Sequence, residues 1–149
     1  MARTHELRID TLREALDVDM IHAFLSEQAY WSQGISRATV ERAIAGSLCF
    51  GGYLDGRQVA FARVVTDSAT FAYLADVFVL PDFRDQGHAR TLVAAVLAHP
   101  ALQGLRRFSL ATLDAHALYA GFGFTAPVHP QSLMEKFDPD IYTRTSPQP

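Results

Sequence analysis

Residues 71–90 read FAYLADVFVLPDFRDQGHAR, and this stretch decides the fold. Its first half, Phe71–Leu80, is apolar at both odd and even positions, which predicts a central β-strand covered on each side. Its second half changes to turn residues around Gly87. A helical apolar pattern then runs to about Ala98 and stops at Pro100, because proline cannot continue a helix.

The strand Phe71–Leu80 also sets expectations for its neighbours. Strict alternation predicts that Ala72, Leu74 and Phe78 share one face of the sheet. The apolar segment Arg107–Thr112 follows the helix, and a strand–helix–strand order predicts a parallel pair with a right-handed crossover.

The segments on either side complete an α/β pattern. Asp55-Gly56 between two apolar runs predicts a hairpin, and Ser36 is placed to cap a helix that ends before Gly46. The predicted elements are a strand near Leu7–Thr11, a helix over Val18–Gln28, a second helix to about Ala45, hairpin strands Leu48–Leu54 and Gln58–Thr66, a short helix over Ala115–Ala120 and a last strand or two that include Leu133–Phe137. The sheet is therefore expected to be an antiparallel meander that turns parallel at Phe71–Leu80.

Composition narrows the class of protein. The 149 residues suit one domain, 1–149, with a Pro-rich tail from about residue 140 that is expected to fray. A net charge of -3 without a Lys/Arg run argues against nucleic acid or an anionic membrane as partner. The N-terminus has no apolar signal region, so a cytoplasmic location is expected. Cys49 lies in an apolar run and is expected to be buried, and the histidines show no metal-ligand spacing, so no metal site is expected.

The turn before the predicted helix that runs to about Ala98 has the chemistry of an anion site. The first N–H groups of a helix lack internal partners, and the helix dipole adds partial positive charge there. Gly87 lets the backbone approach a phosphate, small Ala89 does not block it, and Arg84 and Arg90 add charge. On these residues alone, a pyrophosphate cradle and an ordinary strand-to-helix turn are about equally good interpretations.

Two motifs resemble a known family. Val79-x-Pro81-x-x-Arg84-x-x-Gly87-x-Ala89 resembles the acetyl-CoA signature of the GNAT superfamily of N-acetyltransferases, with alanine in place of its second glycine. About thirty residues later, the segment 117–124, ALYAGFGF, resembles the Leu-Tyr-x-x-x-Gly-Phe segment of that family. The Asn that often precedes this tyrosine is absent, and Asp114 and His116 lie there instead.

The resemblance implies a GNAT-like mixed sheet, helices on both faces and a splayed gap between the strands Phe71–Leu80 and Arg107–Thr112. Acetyl-CoA is the implied co-substrate, with no metal. Backbone groups of Val77, Phe78 and Val79 would hold its pantetheine and thioester. The pyrophosphate would be held at Arg84, Asp85, Gln86, Gly87, His88, Ala89 and Arg90.

The resemblance also implies the direct transfer of acetyl to a primary amine, with Tyr119 as the general acid to the CoA thiolate. Without the resemblance, core packing is the better interpretation of Tyr119. Asp76 is the one carboxylate inside an apolar strand. It is a candidate to relay the amine proton, and an Asp bonded to backbone or to Arg63 is an equally good interpretation. His116 could titrate usefully, but a surface histidine is the better interpretation.

Tyr30 and Trp31 follow the first helix, in a loop that borders the acceptor pocket of this family. A role in substrate binding and a hydrophobic contact that closes the helical corner are equally good interpretations. Nothing in the sequence identifies the amine. A non-catalytic acyl-CoA-binding module and a protein N-terminal or lysine acetyltransferase remain alternatives, and a homodimer is expected only from similar proteins.

Overall fold

A computed structural model describes residues 6–144 and contains a five-stranded mixed sheet with strand order β1-β2-β3-β4-β5. The strands are β1 (Arg8–Asp10), β2 (Leu48–Leu54), β3 (Arg57–Thr66), β4 (Phe71–Val79) and β5 (Arg107–Leu110). The first four strands pair antiparallel, and β4 pairs parallel with β5. The predicted meander that turns parallel at β4 is confirmed.

Four helices surround the sheet, and their ends follow from local chemistry. They are α1 (Val18–Glu27), α2 (Arg37–Ala45), α3 (His88–Ala98) and α4 (His116–Ala120). The side chains of Asp17 and Ser36 accept hydrogen bonds from the N–H groups of Met20 and Thr39, which caps α1 and α2. The predicted cap at Ser36 is thereby confirmed.

The two faces of the sheet carry separate apolar cores. On one face, α3 packs Leu92 and Val96 against a cluster that includes Val59 and Val64 of β3. On the other face, α1 and α2 pack against Phe61 and other residues of the sheet. The sheet is thus a middle layer between helices, as predicted, and this accounts for the apolar residues at both odd and even positions of β4.

A bulge in β4 corrects the predicted alternation. Between the paired positions Phe61–Phe78 and Arg63–Ala75, β3 advances by two residues while β4 advances by three. Asp76 takes up the extra residue with φ of 54°, a left-handed conformation that Asp tolerates better than most side chains. As a result, Phe78 lies in the α1/α2 core, on the face opposite to Ala72 and Leu74.

The parallel pair is short. The register of β4 with β5 runs from Phe71–Arg107 to Leu74–Leu110, so β5 ends two residues before the predicted Thr112. Beyond Leu74, no strand of the described chain pairs with that side of β4. The strands therefore separate at their carboxyl ends and leave a gap, as the resemblance implied.

The C-terminal arm, residues 125–144, corrects a second prediction. Leu133–Phe137 is not a strand, and no strand follows β5 in the described part of the chain. Met134 and Phe137 are 97% and 71% exposed. The apolar pattern does not form a strand because no other strand pairs with this segment within the described chain. The arm passes the loop after α1, since a Cβ at Gly34 would lie 2.6 Å from the carbonyl oxygen of Tyr142.

Two further expectations concern single features. Cys49 is buried as predicted, and this burial raises the pKa of its thiol to about 11. Within residues 6–144, no helix is long and apolar enough to cross a bilayer. The expected fraying beyond residue 140 falls mainly on residues 145–149, which lie outside the described range.

Candidate active site

The turn that joins β4 to α3 presents unpartnered main-chain N–H groups. A single helical turn, Pro81–Phe83, follows β4, and α3 begins at His88. Asp85 and Gly87 have φ of 62° and 81°, a local pattern of the kind that forms anion-binding nests. The N–H groups of residues 85–90 have no hydrogen-bond acceptor in the described chain. They are therefore free to bind an anion.

A cavity of about 550 Å³, called here the first cavity, opens beside these N–H groups. The carboxyl end of β4 and residues of α1 and α4 form its other walls. Its lining includes Val77, Phe78, Val79, Arg84, Asp85, Gly87, His88, Ala89, Arg90, Leu118 and Tyr119. The unpaired edge of β4 and the free N–H groups of the turn therefore face one continuous space.

The turn fits a diphosphate. A Cβ added at Gly87 would have no atom within 4 Å, so the space above this residue is open to a ligand. Arg84 donates from Nε to the carbonyl oxygen of Val79 at 2.9 Å, which ties the turn to the end of β4. The guanidinium of Arg90 lies 6.0 Å from the ring centroid of Phe122. A helix N-terminus with two arginines and a glycine is suited to paired phosphates.

His88 has an unusual environment. Its side chain is 5% exposed, and Nε2 is buried without a hydrogen-bond partner in the described chain. An unsatisfied buried polar atom costs about 1–3 kcal/mol. Its burial leaves the main-chain N–H as the group that His88 can offer to an anion.

A second cavity, of about 810 Å³, lies on the other side of the gap between β4 and β5. It extends between α1, α2 and the sheet, and its lining includes Glu135, Phe137 and Tyr142 of the C-terminal arm. These three residues are exposed, and we call the solvent-facing side that they form the mouth of the cavity. Six residues line both cavities: Tyr30, Trp31, Val77, Asp114, Ala115 and Tyr119. We call this set the shared wall. A ligand in the first cavity and a ligand in the second cavity would come into contact beside these residues.

Tyr119 is the buried phenol of the shared wall, whereas Tyr30 is exposed. It is 7% exposed and packs edge-on against Phe124, with 6.0 Å between ring centroids. Its hydroxyl has no hydrogen-bond partner in the described chain, although the side chain lines both cavities. Burial, with smaller contributions from Asp114 and Tyr30, raises the pKa of Tyr119 above its usual value. The hydroxyl therefore keeps its proton at neutral pH.

Asp76 is held by two donors. One carboxylate oxygen accepts from the Trp31 indole Nε1 at 2.9 Å, and the other accepts from Arg63 Nε at 2.7 Å. Arg63 also donates to the Ser47 hydroxyl at 3.1 Å. This network fixes Trp31 in the shared wall and compensates the charge that sits at the bulge.

Most of the site residues that the sequence predicts line one or both cavities. Every predicted cofactor residue except Gln86 lines the first cavity. Tyr30 and Trp31 line both cavities and Asp76 lines the second, whereas His116 is exposed and lines neither. The functional assignments of these residues stay predictions.

Asp114 was missed as a site residue. It lines both cavities and lies two residues before α4, which carries Tyr119. The only sequence signal was its place near the missing family Asn. A carboxylate between a strand and a helix is typical of an ordinary surface residue, so the sequence alone does not identify Asp114 as a site residue.

Comparison with known proteins agrees with the fold. The profile of the Acetyltransferase (GNAT) family matches residues 18–124. A crystal structure from Xanthomonas campestris, assigned to the GNAT family of acetyltransferases, is 57% identical with a TM-score of 0.92, and the match covers 93% of this chain and 98% of that one. A Gibberella zeae protein that carries an acetyltransferase name is 32% identical over 126 residues, with 70% of each chain covered.

A more distant structure shares the fold alone. The N-acetylglutamate synthase of Neisseria gonorrhoeae, solved with coenzyme A and N-acetyl-glutamate, is 21% identical with a TM-score of 0.62. The match covers 81% of this chain and 28% of that one.

The class that the fold and the comparisons define is an α/β acyltransferase with helices on both faces of a splayed mixed sheet. Within that class, this chain belongs to the GNAT family of acetyltransferases. Members of this family use acetyl-CoA as the acetyl donor.

Proposed function

We propose that this protein transfers the acetyl group of acetyl-CoA to a primary amine of a small molecule, by direct attack and with Tyr119 as the general acid. The observation that carries this proposal is the shared wall. The donor would lie in the first cavity, the amine would lie in the second, and Tyr119 lines both.

The donor side rests on main-chain groups. The free N–H groups of residues 85–90 would hold the pyrophosphate, with Arg84 and Arg90 beside them. Val77, Phe78 and Val79 would hold the pantetheine along the unpaired edge of β4. When bound, acetyl-CoA supplies a thioester whose carbonyl carbon bonds to the amine nitrogen while the carbon–sulfur bond breaks.

The chain's own residues manage the protons of this exchange. Sulfur leaves with the bonding electron pair, and the Tyr119 hydroxyl would give it a proton and recover one from solvent. Asp114 lies in the same wall and would take the proton that the amine loses. Asp76 was predicted for this relay, but both of its oxygens are engaged by Trp31 and Arg63, which favours a positioning role.

Two measurements test the proposed activity. Acetyl-CoA should raise the melting temperature, since a ligand that binds only the folded state stabilises it. A panel of amines should then yield free thiol together with N-acetylated products identified by mass spectrometry. Acetyl-CoA binding without any product would instead support the non-catalytic acyl-CoA-binding module.

The aromatic second cavity favours a small molecule over a protein as the acceptor. Tyr30, Trp31 and Tyr73 line it, and four residues of the C-terminal arm, Glu135, Phe137, Pro139 and Tyr142, narrow the space further. A small amine needs less of this space than a peptide or protein N-terminus does. Peptides should therefore be poor acceptors in the panel, and efficient acetylation of an unstructured lysine peptide would contradict the proposed substrate class.

Asp76→Asn tests the positioning role. The variant retains a side chain that tolerates φ of 54° but loses the charge that Arg63 contacts. We expect the KM for the amine to rise about threefold to tenfold while kcat changes little. Emission of Trp31, the single tryptophan of the chain, should change with its environment. A large fall in kcat with a lost limb of the pH profile would instead support the proton relay.

A homodimer stays a prediction, and the C-terminal arm favours it. Val128, Met134 and Phe137 are largely exposed, and β5 has no strand partner on its outer edge within residues 6–144. Exposed apolar chain beside a free strand edge is a common site of association. We expect a dimer at micromolar concentration in analytical ultracentrifugation, and a monomer for the double variant Met134→Lys, Phe137→Lys. A monomeric parent protein would contradict this prediction.

A further inference from the structure

The second cavity has an uneven charge, and this identifies a substrate class. Its charged lining residues within the described chain are Arg63, Asp76, Asp114 and Glu135. Arg63 and Asp76 form an ion pair of 2.7 Å, and their side chains are 19% and 11% exposed. The positive charge of Arg63 is therefore neutralised by Asp76 and is not available to a ligand. Asp114 and Glu135 have neither an ion pair nor a hydrogen bond in the described chain, so the cavity retains two uncompensated carboxylates.

The two carboxylates lie at different places in the cavity. Asp114 belongs to the shared wall, where the amine would react, whereas Glu135 belongs to the C-terminal arm at the mouth. The aromatic side chains of Tyr30 and Trp31, which belong to the shared wall, pack edge to face with 5.0 Å between ring centroids. Aromatic faces and carboxylates both attract cations, and neither attracts an anion.

A second observation favours a polar ligand atom in this space. The Tyr119 side chain is more than nine-tenths buried and lines the same cavity, and its hydroxyl has no partner in the described chain. This hydroxyl oxygen is not among the fully buried unpartnered atoms of the described chain, so it is accessible from the cavity and can hydrogen-bond to a ligand there. Asp114 belongs to the same wall.

From these observations we infer that the acceptor carries two cationic groups. Asp114 receives the amine that is acetylated, and Glu135 binds a second ammonium or guanidinium group at the mouth. The inference deepens the proposed function and rests on it. A carboxylate or phosphate on the acceptor would face two negative charges without a free cation, so acidic amines are excluded by the same charges.

Three acceptors of equal chain length test the inference. They are 1,5-diaminopentane, pentylamine and 5-aminopentanoate, which have five carbons each and differ only at the fifth, an aminomethyl, a methyl or a carboxylate group. We expect kcat/KM for the diamine to exceed that for pentylamine by about fivefold or more, with the carboxylate lowest. The preference should shrink as ionic strength rises, because salt screens partly exposed charges.

Glu135→Gln is the informative variant. Glu135 is exposed and lines the second cavity but not the first, so the substitution should leave folding and acetyl-CoA binding intact, and the rate with pentylamine is measured as the reference. We expect the diamine preference to fall to about twofold or less. Glu27→Gln is the matched control, since this exposed α1 carboxylate lines neither cavity. It should keep the full preference.

The outcomes separate the two levels of the proposal. Equal or better use of pentylamine or 5-aminopentanoate overturns the dicationic acceptor and leaves the acetyltransferase activity standing. An unchanged preference in Glu135→Gln overturns the second binding point. Failure to acetylate any amine, while acetyl-CoA still raises the melting temperature, overturns the proposed function and this inference with it.

Discussion

Replacing Tyr119 with phenylalanine is expected to lower kcat by about tenfold to a thousandfold and to leave acetyl-CoA affinity nearly unchanged. The ring remains and continues to pack against Phe124, so the fold should be retained. What is lost is the only proton that this wall position can give to a departing thiolate. Steady-state kinetics and acetyl-CoA titration calorimetry on the same preparation measure both quantities.

The pH dependence adds a second readout for Tyr119. Because burial raises the pKa of this hydroxyl, its protonated form persists above pH 10, the ordinary tyrosine value, and is lost only at still higher pH. An activity decrease between pH 7 and 9 in the parent protein would therefore have another cause. Turnover by Tyr119→Phe equal to that of the parent would remove this residue from the mechanism.

Gly87→Val is expected to weaken acetyl-CoA binding by about tenfold or more. A valine at φ of 81° is strained, and its side chain would occupy open space that the pyrophosphate needs. Both effects act on the same turn, so a stability control is required. Calorimetric titration of acetyl-CoA measures the affinity, and thermal unfolding without ligand measures the strain.

Gly104→Val provides that control. Gly104 has φ of 72°, has open space where its Cβ would be, and lines neither cavity. The two variants should lose similar stability, about 1–2 kcal/mol, because the backbone strain is alike. Only Gly87→Val should lose affinity. Equal affinity in both variants would place the pyrophosphate elsewhere.

Local signals in the sequence were sufficient for much of the fold. Asp55-Gly56 forms its turn from two residues, and Ser36 caps α2 through a contact within a single turn of helix. The cradle at Gly87 was visible for the same reason, because a helix start and its preceding turn are contiguous in the chain. Such features depend on neighbours in sequence and need no tertiary information.

Features that depend on distant partners were not predictable in this way. The bulge at Asp76 lies in a strand that has apolar residues on both faces. When residues change face in such a strand, the sequence pattern stays the same, so the bulge cannot be predicted from it. The C-terminal arm has the apolar residues of a strand, but a strand also needs a neighbouring backbone. Asp114 lines both cavities only because the folded chain brings it beside the gap between β4 and β5.

The extra residue in β4 has a consequence for protein engineering. The face of the sheet on which Val77, Phe78 and Val79 lie depends on how many residues separate them from Ala75, which pairs with Arg63. It does not depend on their own side chains. Site-directed exchanges along this segment preserve that count, whereas removal or addition of a single codon near position 76 would invert all three at once. Variant libraries that aim to alter acyl-chain preference should therefore change the amino acids of this β4 segment and keep its number of residues constant.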